Sequence, residues 1–247
     1  MTNNGQLVEI FSSIQGEGLY AGTRMTFVRF GRCSLNCKWC DTPQGKCAQE
    51  SFKVETKPGS GKFNQFKNPA SITSLNEHLL SFEDKFLSLT GGEPLEQVDF
   101  LLEWLPTIDA RRHIMLETNG ILFQSLKFII PHLNTISMDI KLPSSSGCKK
   151  YWDEHAQFLN TAYTSGKELY VKLVVTESTS NADLERAILI VNKTNKFIPV
   201  FIQPASQTLL FHDTISEERL NSIERLCSAY LPNVKTLPQM HKIWDVL

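Results

Sequence analysis

Short apolar runs alternate with longer, apolar-periodic segments along most of this chain. The runs at 25–30, 86–89, 113–117, 135–138, 169–175 and 199–202 have the length and the β-branched and aromatic content of strands. The segments at 72–82, 97–108, 122–133, 149–164, 181–192 and 216–230 repeat apolar residues at helical spacing. Such alternation predicts an α/β fold, a parallel sheet wrapped by helices. Six strands are too few for a complete eight-stranded barrel. They suit an open, partial (β/α)6 TIM-like barrel, and a doubly wound sheet fits the alternation nearly as well.

The polar residues favour the barrel. After the second strand comes Thr90-Gly91-Gly92-Glu93-Pro94, and after the third Glu117-Thr118-Asn119-Gly120. Asp139-Ile140-Lys141 follows the fourth and Gln203-Pro204-Ala205-Ser206 the sixth. In parallel α/β folds these strand ends open onto one face, where chemistry gathers. Each cluster alone is ordinary turn chemistry. With the cysteine loop after the first strand, five such ends mark a site. One stretch reads as a loose surface excursion within a single domain. It spans 43–71, with Lys57-Pro58-Gly59-Ser60-Gly61-Lys62 and Asn68-Pro69. A lid, a docking surface or a solvated loop all fit it.

Charge and hydropathy narrow the partners. A net charge of −1 argues against a broad basic surface for nucleic acid. No apolar run approaches the roughly 20 residues that cross a bilayer. The polar residues 1–6 do not resemble an export signal, which predicts a reducing, cytoplasmic setting where disulfides are rare.

The densest chemistry is Cys33, Cys37 and Cys40, a C-x3-C-x2-C loop. Three thiolates are one fewer than a closed four-iron cluster takes, so one iron is left open for a ligand. Trp39 is placed to stack on a planar ring beside such a cluster. A zinc knot completed by Cys47 is the alternative, and six cysteines also allow a disulfide set. Cys148 and Cys227 read as ordinary thiols.

Two adjacent glycines let backbone approach a ligand without a Cβ in the way. Cysteine loop and Gly91-Gly92-Glu93 together resemble the radical S-adenosylmethionine (SAM) superfamily, over most of the chain from about residue 26 to 204. The likeness extends to Gln15-Gly16-Glu17-Gly18 before the first strand, Cys40-Asp41-Thr42 closing the loop, and Gln239-Met240-His241-Lys242 near the end. In this order the motifs resemble the 7-carboxy-7-deazaguanine synthase family, which serves queuosine and other 7-deazapurines and hence tRNA modification. A radical SAM activase of glycyl-radical partners shares the cysteine spacing but is expected to lack the first and last of these motifs. A zinc-binding interaction module would be colourless.

The resemblance implies a lyase. It converts 6-carboxy-5,6,7,8-tetrahydropterin to 7-carboxy-7-deazaguanine with loss of ammonia, through a 5′-deoxyadenosyl radical that takes hydrogen from C6. It implies a 4Fe–4S cluster on Cys33, Cys37 and Cys40. SAM would lie against the backbone around Trp39, Cys40, Asp41, Gly92, Asp139, Ile140, Lys141, Gln203, Pro204, Ala205 and Ser206. The pterin would meet Ile14, Gln15, Gly16, Arg29 and Thr90, with Arg29 facing its carboxylate and Mg2+ held partly by Thr42. In some relatives a terminal proline carboxylate also reaches substrate; by count from His241 that place falls to Leu247. The resemblance further implies a flavodoxin-type or other one-electron reductant, a homodimer, a substrate-binding extension over 1–24 and a C-terminal helix and tail over 207–247.

Overall fold

The computed structural model describes residues 4–247, so the polar start read at 1–6 lies partly outside the described residues. β1 (Leu7–Ile14) and β2 (Arg24–Phe30) pair antiparallel, as do β3 (Ser51–Glu55) and β4 (Phe63–Lys67). α1 (Ile72–Leu79) leads into β5 (Phe86–Gly91), α2 (Val98–Trp104), β6 (His113–Thr118), α3 (Phe123–Ile129) and β7 (Thr135–Asp139). Then come α4 (Pro143–Ser146), α5 (Trp152–Thr164), β8 (Glu168–Val175), α6 (Asn181–Asn195), β9 (Val200–Pro204), α7 (Glu217–Ser228), β10 (Val234–Thr236) and α8 (Met240–Trp244). Helix starts follow local chemistry. The side chains of Ser71, Ser180 and Ser216 accept from backbone N–H groups three residues on, which caps α1, α6 and α7.

The ten strands form one sheet in the order β10-β9-β8-β7-β6-β5-β2-β1-β3-β4. The six expected strands are its contiguous centre, all parallel. Four strands lie outside that expectation. β1 escapes a period-two reading because both its faces are covered: Ile10 is buried in the main core and Phe11 on the opposite side. β3 and β4 correct the reading of 43–71 as loose. Phe52 and Val54 point into the core, and Glu55, 1% exposed, accepts from the N–H groups of Ser12, Gly59 and Gly61. The glycines at the hairpin tip, with φ of 78° and 64°, let the chain curl around that carboxylate.

Residue alternation splits the sheet into two faces. Val28, Phe30, Leu87, Leu89, Ile136 and Val171 pack with the helices in the main core. The opposite face holds a smaller apolar plug of Phe11, Met25, Phe27, Met115, Tyr170 and Phe201. Beyond the plug, the same alternation ends in Arg29, Thr90, Glu117, Asp139, Lys172 and Gln203, one polar residue per central strand. No helix among the described residues is long and apolar enough to cross a membrane.

Candidate functional site

Those six polar residues line a cavity of about 510 Å3 at the C-terminal strand ends, within the range of small-ligand pockets. Charges this deep persist only when paired. Lys172 Nζ, inside an otherwise apolar strand, forms an ion pair with Glu17 Oε2. Burial alone would raise Glu17, but Lys172 and the hydrogen bonds around it hold the carboxyl down to about 2. Glu17 Oε1 also accepts from Gln203 Nε2 (3.2 Å) and Gln239 Nε2 (2.7 Å). The second hydrogen of the Gln239 amide goes to Asp41 Oδ2 at 2.9 Å. One side chain thus joins the Gln15–Glu17 wall to the end of the cysteine loop.

The C-terminal motif seals that wall. Met240 N donates to Gly16 O (2.9 Å), and a Cβ on Gly16 would run into the backbone and ring of His241. Gln15 Nε2 donates to Glu117 Oε1 (3.0 Å), which also accepts from Ser88 Oγ (2.7 Å). Ser13 Oγ donates to Leu247 O at 2.9 Å, and Leu247 lines the cavity. The two motifs, more than two hundred residues apart, are each other's partners.

The cysteine loop is held against the glycine pair. Gly92 N donates to Phe30 O (2.8 Å) and Glu93 N to Arg32 O (2.8 Å). A Cβ on Gly92 would collide with the carbonyl oxygens of Arg32 and Gly45, both backbone. Gly92→Ala is therefore expected to displace the cysteine loop. Its iron content after anaerobic reconstitution should fall several-fold while far-UV circular dichroism stays native; wild-type iron content would refute the steric account. Glu93, fully buried, accepts from Leu95 N (3.1 Å), Asn119 N (2.7 Å) and Thr118 Oγ1 (2.9 Å), tying this turn to the next strand end. Burial pushes its carboxyl up to about 7 against those hydrogen bonds.

Above the strand ends, Lys141 Nζ donates to Asp139 Oδ2 (2.7 Å) and sits 4.5 Å from the centroid of the Trp39 ring. Burial alone would lower the Lys141 ammonium, yet Asp139 carries it above its ordinary range. Asp139 Oδ1 and Asn119 Nδ2 are buried without a partner among the described residues, and both residues line the cavity. An acceptor and a donor left open this way suit a polar ligand. Beneath them His155 bridges Lys141 N (3.1 Å, to Nε2) and Gly120 O (3.0 Å, from Nδ1).

Burial drives His155 down from 6.5 to about 4. Between those values the unfolded chain holds the extra proton, so stability rises with pH and is lost as pH drops through the window. Glutamine can make both bonds without titrating. The stability advantage of wild type over His155→Gln should shrink by about 3 kcal/mol from pH 7 to pH 4 in urea titrations; a difference independent of pH would show that His155 is not held neutral.

Most residues singled out from the sequence meet here. Cys33, Cys37, Trp39, Cys40, Asp41 and Thr42 form one wall, and Ile14, Gln15, Gly16 and Arg29 another. Thr90, Gly92, Asp139, Lys141, Gln203, Ala205, Ser206 and Leu247 complete the lining. Two side chains do not take part. Ile140 is fully buried in the main core, because alternation turns it away from its polar neighbours, and Pro204 lies off the cavity surface. Arg29 carries a structural ion pair: Nε meets Glu9 Oε1 at 2.8 Å and Nη1 donates to Thr42 Oγ1 at 3.3 Å. Glu17, Glu117, Gln239 and His241, seen in the sequence as parts of motifs without assigned roles, also line the cavity, and Lys172 is added by the structure. A lone lysine in the apolar run 169–175 was the one local signal for Lys172.

Cys47, the fourth ligand that the zinc alternative needs, does not share the cavity of the other three thiols. Four thiolates at Zn–S distances of about 2.3 Å converge on one point. Among the described residues no three His, Cys, Asp or Glu side chains do so. Cys47 is exposed and outside the cavity lining.

Comparison with known proteins agrees. The Radical SAM superfamily profile matches residues 27–164, more than half of the chain. The chain is 38% identical over 250 residues to the 7-carboxy-7-deazaguanine synthase of Geobacter sulfurreducens, covering 98% of each protein. It is 32% identical to that of Methanothermobacter thermautotrophicus, covering 96% of this chain and 95% of the relative. In fold it resembles QueE from Escherichia coli, with a TM-score of 0.62 at 19% identity over 96% of this chain and 94% of that one. A radical SAM methyltransferase from Sphaerobacter thermophilus gives a TM-score of 0.59 at 14% identity, over 87% and 66% of the respective chains. The partial α/β barrel is thus the radical SAM fold, and the chain belongs to the 7-carboxy-7-deazaguanine synthase family of radical SAM enzymes.

Proposed function

We propose that this cavity takes 6-carboxy-5,6,7,8-tetrahydropterin, removes a hydrogen atom from its C6 and releases 7-carboxy-7-deazaguanine and ammonia. Family membership brings a 4Fe–4S cluster and SAM; the substrate and Mg2+ roles below are our reading. The observation that carries it is the Gln239 amide, which closes the Gln15–Glu17 wall directly against the cysteine loop. That closure holds a ligand beside the thiols and away from water.

Cys33, Cys37 and Cys40 would hold the cluster and leave one iron for SAM. When bound, cluster and SAM supply one-electron cleavage and hydrogen-atom abstraction; position and exclusion of water are the protein's part. Asp139 Oδ1 and Asn119 Nδ2 offer an acceptor and a donor to SAM, alongside Trp39, Asp41, Gly92 and the Gln203–Ser206 strand end. The Phe11 and Phe27 rings, stacked 5.1 Å apart, form an apolar wall below Arg29. A flat pterin fits along them, its edge toward Gln15, Gly16 and Thr90 and its carboxylate toward Arg29. Leu247 borders the same space.

Thr42 Oγ1 lies between the Arg29 guanidinium and Asp41 Oδ1. Mg2+ keeps several waters and uses few protein oxygens, so Thr42 with the substrate carboxylate makes a reasonable donor set. Thr42→Ala should leave the cluster intact and cut the response of turnover to Mg2+ about tenfold. An unchanged Mg2+ response removes Thr42 from the site.

We further assign 1–24 as a substrate-binding extension, 43–71 as an insertion and 207–247 as a closing tail of one domain. The enzyme would work as a homodimer in the cytoplasm with a flavodoxin-type donor. The deciding experiment incubates the reduced, reconstituted protein with SAM, Mg2+ and the carboxytetrahydropterin. A carboxylated deazaguanine is expected; 5′-deoxyadenosine without it would retain SAM cleavage and reject this substrate.

A further inference from the structure

We propose that Cys37 and Cys148 are a dithiol couple that closes to a disulfide in the cluster-free chain. Their Sγ atoms are 3.7 Å apart although the residues are 111 positions apart in sequence. Backbone, and not side-chain rotation alone, brings them together. Lys38 N donates to Ser146 O (2.9 Å), Cys148 N to Ser146 Oγ (3.2 Å), and Ser146 Oγ to Leu142 O (2.8 Å). Gly147, with φ of 74°, ends α4 flush against the Lys38 side chain, which a Cβ there would strike. Both thiols sit in a small apolar group with Leu35 and Ile121.

Accessibility sets the order of events. Cys148 is half-buried and Cys37 buried, so a low-molecular-weight disulfide such as oxidised glutathione meets Cys148 first. Cys148 sulfur attacks one glutathione sulfur, breaks that S–S bond and releases one glutathione thiol. Cys37 then attacks the Cys148 sulfur of the mixed disulfide and releases the second thiol. Two protein thiols lose two electrons and two protons, and one glutathione disulfide becomes two thiols. The sulfurs close from contact to a bond of about 2.05 Å. Taken with the reading of Cys37 as a cluster ligand, the disulfide withdraws one of three thiolates and shields it from irreversible oxidation.

The test treats the full-length, cluster-free protein with oxidised glutathione, alkylates the remaining thiols and maps unreduced peptides by mass spectrometry. A Cys37–Cys148 peptide pair that dithiothreitol dissolves is expected as the dominant link. In Cys148→Ser, Cys37 should be unlinked to any protein cysteine. A Cys37 link to Cys33 or Cys40, or Cys148 found only as a glutathione adduct in wild type, overturns the couple. Loading with iron and sulfide without added thiol supplies the second arm: oxidised wild type should take up several-fold less iron than reduced wild type. If the link forms and iron uptake is equal, the couple stands and the ligand role of Cys37 falls.

Discussion

Cys37→Ala protein, reconstituted anaerobically with iron and sulfide, is expected to stay colourless and to form neither 5′-deoxyadenosine nor product. Three thiols on four irons leave one iron open; removing one would leave two irons uncapped, and such a cluster is not expected to persist. Turnover should fall at least about 10³-fold, equivalent to roughly 4 kcal/mol of lost transition-state stabilisation. Cys37 is buried in a small apolar group at the cavity edge, and an alanine methyl sits there without strain. The fold should therefore survive, with circular dichroism and urea midpoint close to wild type. A brown, active variant would show that some other cysteine completes the set and would remove the basis of the mechanism. Unlike the further couple with Cys148, this outcome does not depend on oxidation.

Lys172→Met is the second change with a large expected effect, and here the fold itself should suffer. The substitution keeps an unbranched side chain of nearly the same length and removes the ammonium, leaving the Glu17 carboxylate buried beside Gln203 and Gln239 without its lysine partner. Breaking one half of a buried pair costs about 3–5 kcal/mol. The residual Glu17 should then titrate above its present value, because burial, the largest influence, raises it and only the weaker pull of Gln239 and His241 is left to oppose it. Urea midpoints measured from pH 4 to pH 8 should show the variant most destabilised at high pH and partly recovered as Glu17 takes a proton. Replacing both partners, Glu17→Gln with Lys172→Met, should recover much of the loss. If Lys172→Met unfolds at the wild-type midpoint at pH 8, the pair is not the keystone of this wall.

Sequence reading reached the architecture because the central strands announce themselves twice. Each is an apolar run, and all but the fifth read as ending on a polar cluster, as Leu87–Leu89 does before Thr90 and Gly91. The cysteine and glycine motifs were legible for the same reason: their chemistry is local. Contacts between distant residues were not. Nothing near Glu17 announces Lys172, 155 residues away, and nothing near Gln239 announces Asp41, 198 away. Each motif end could be seen, but not that one amide serves both. The hairpin of β3 and β4 hid behind its own turn, whose Gly, Pro and Lys content outweighed a five-residue strand. Ile140 marks the limit of reading a strand end as a unit: alternation sends its side chain to the other face, so only its backbone stays with its two polar neighbours.

The placement of Gln239 bears on how the molecule is made. The sheet can assemble as the chain leaves the ribosome, but the wall beside the thiols has no latch until Gln239, 198 residues after Asp41, has been translated. Contacts of such long sequence separation close last and slowly. A newborn chain therefore passes through an interval in which its cysteine loop stands without that latch, and a change that displaces Gln239 prolongs the interval.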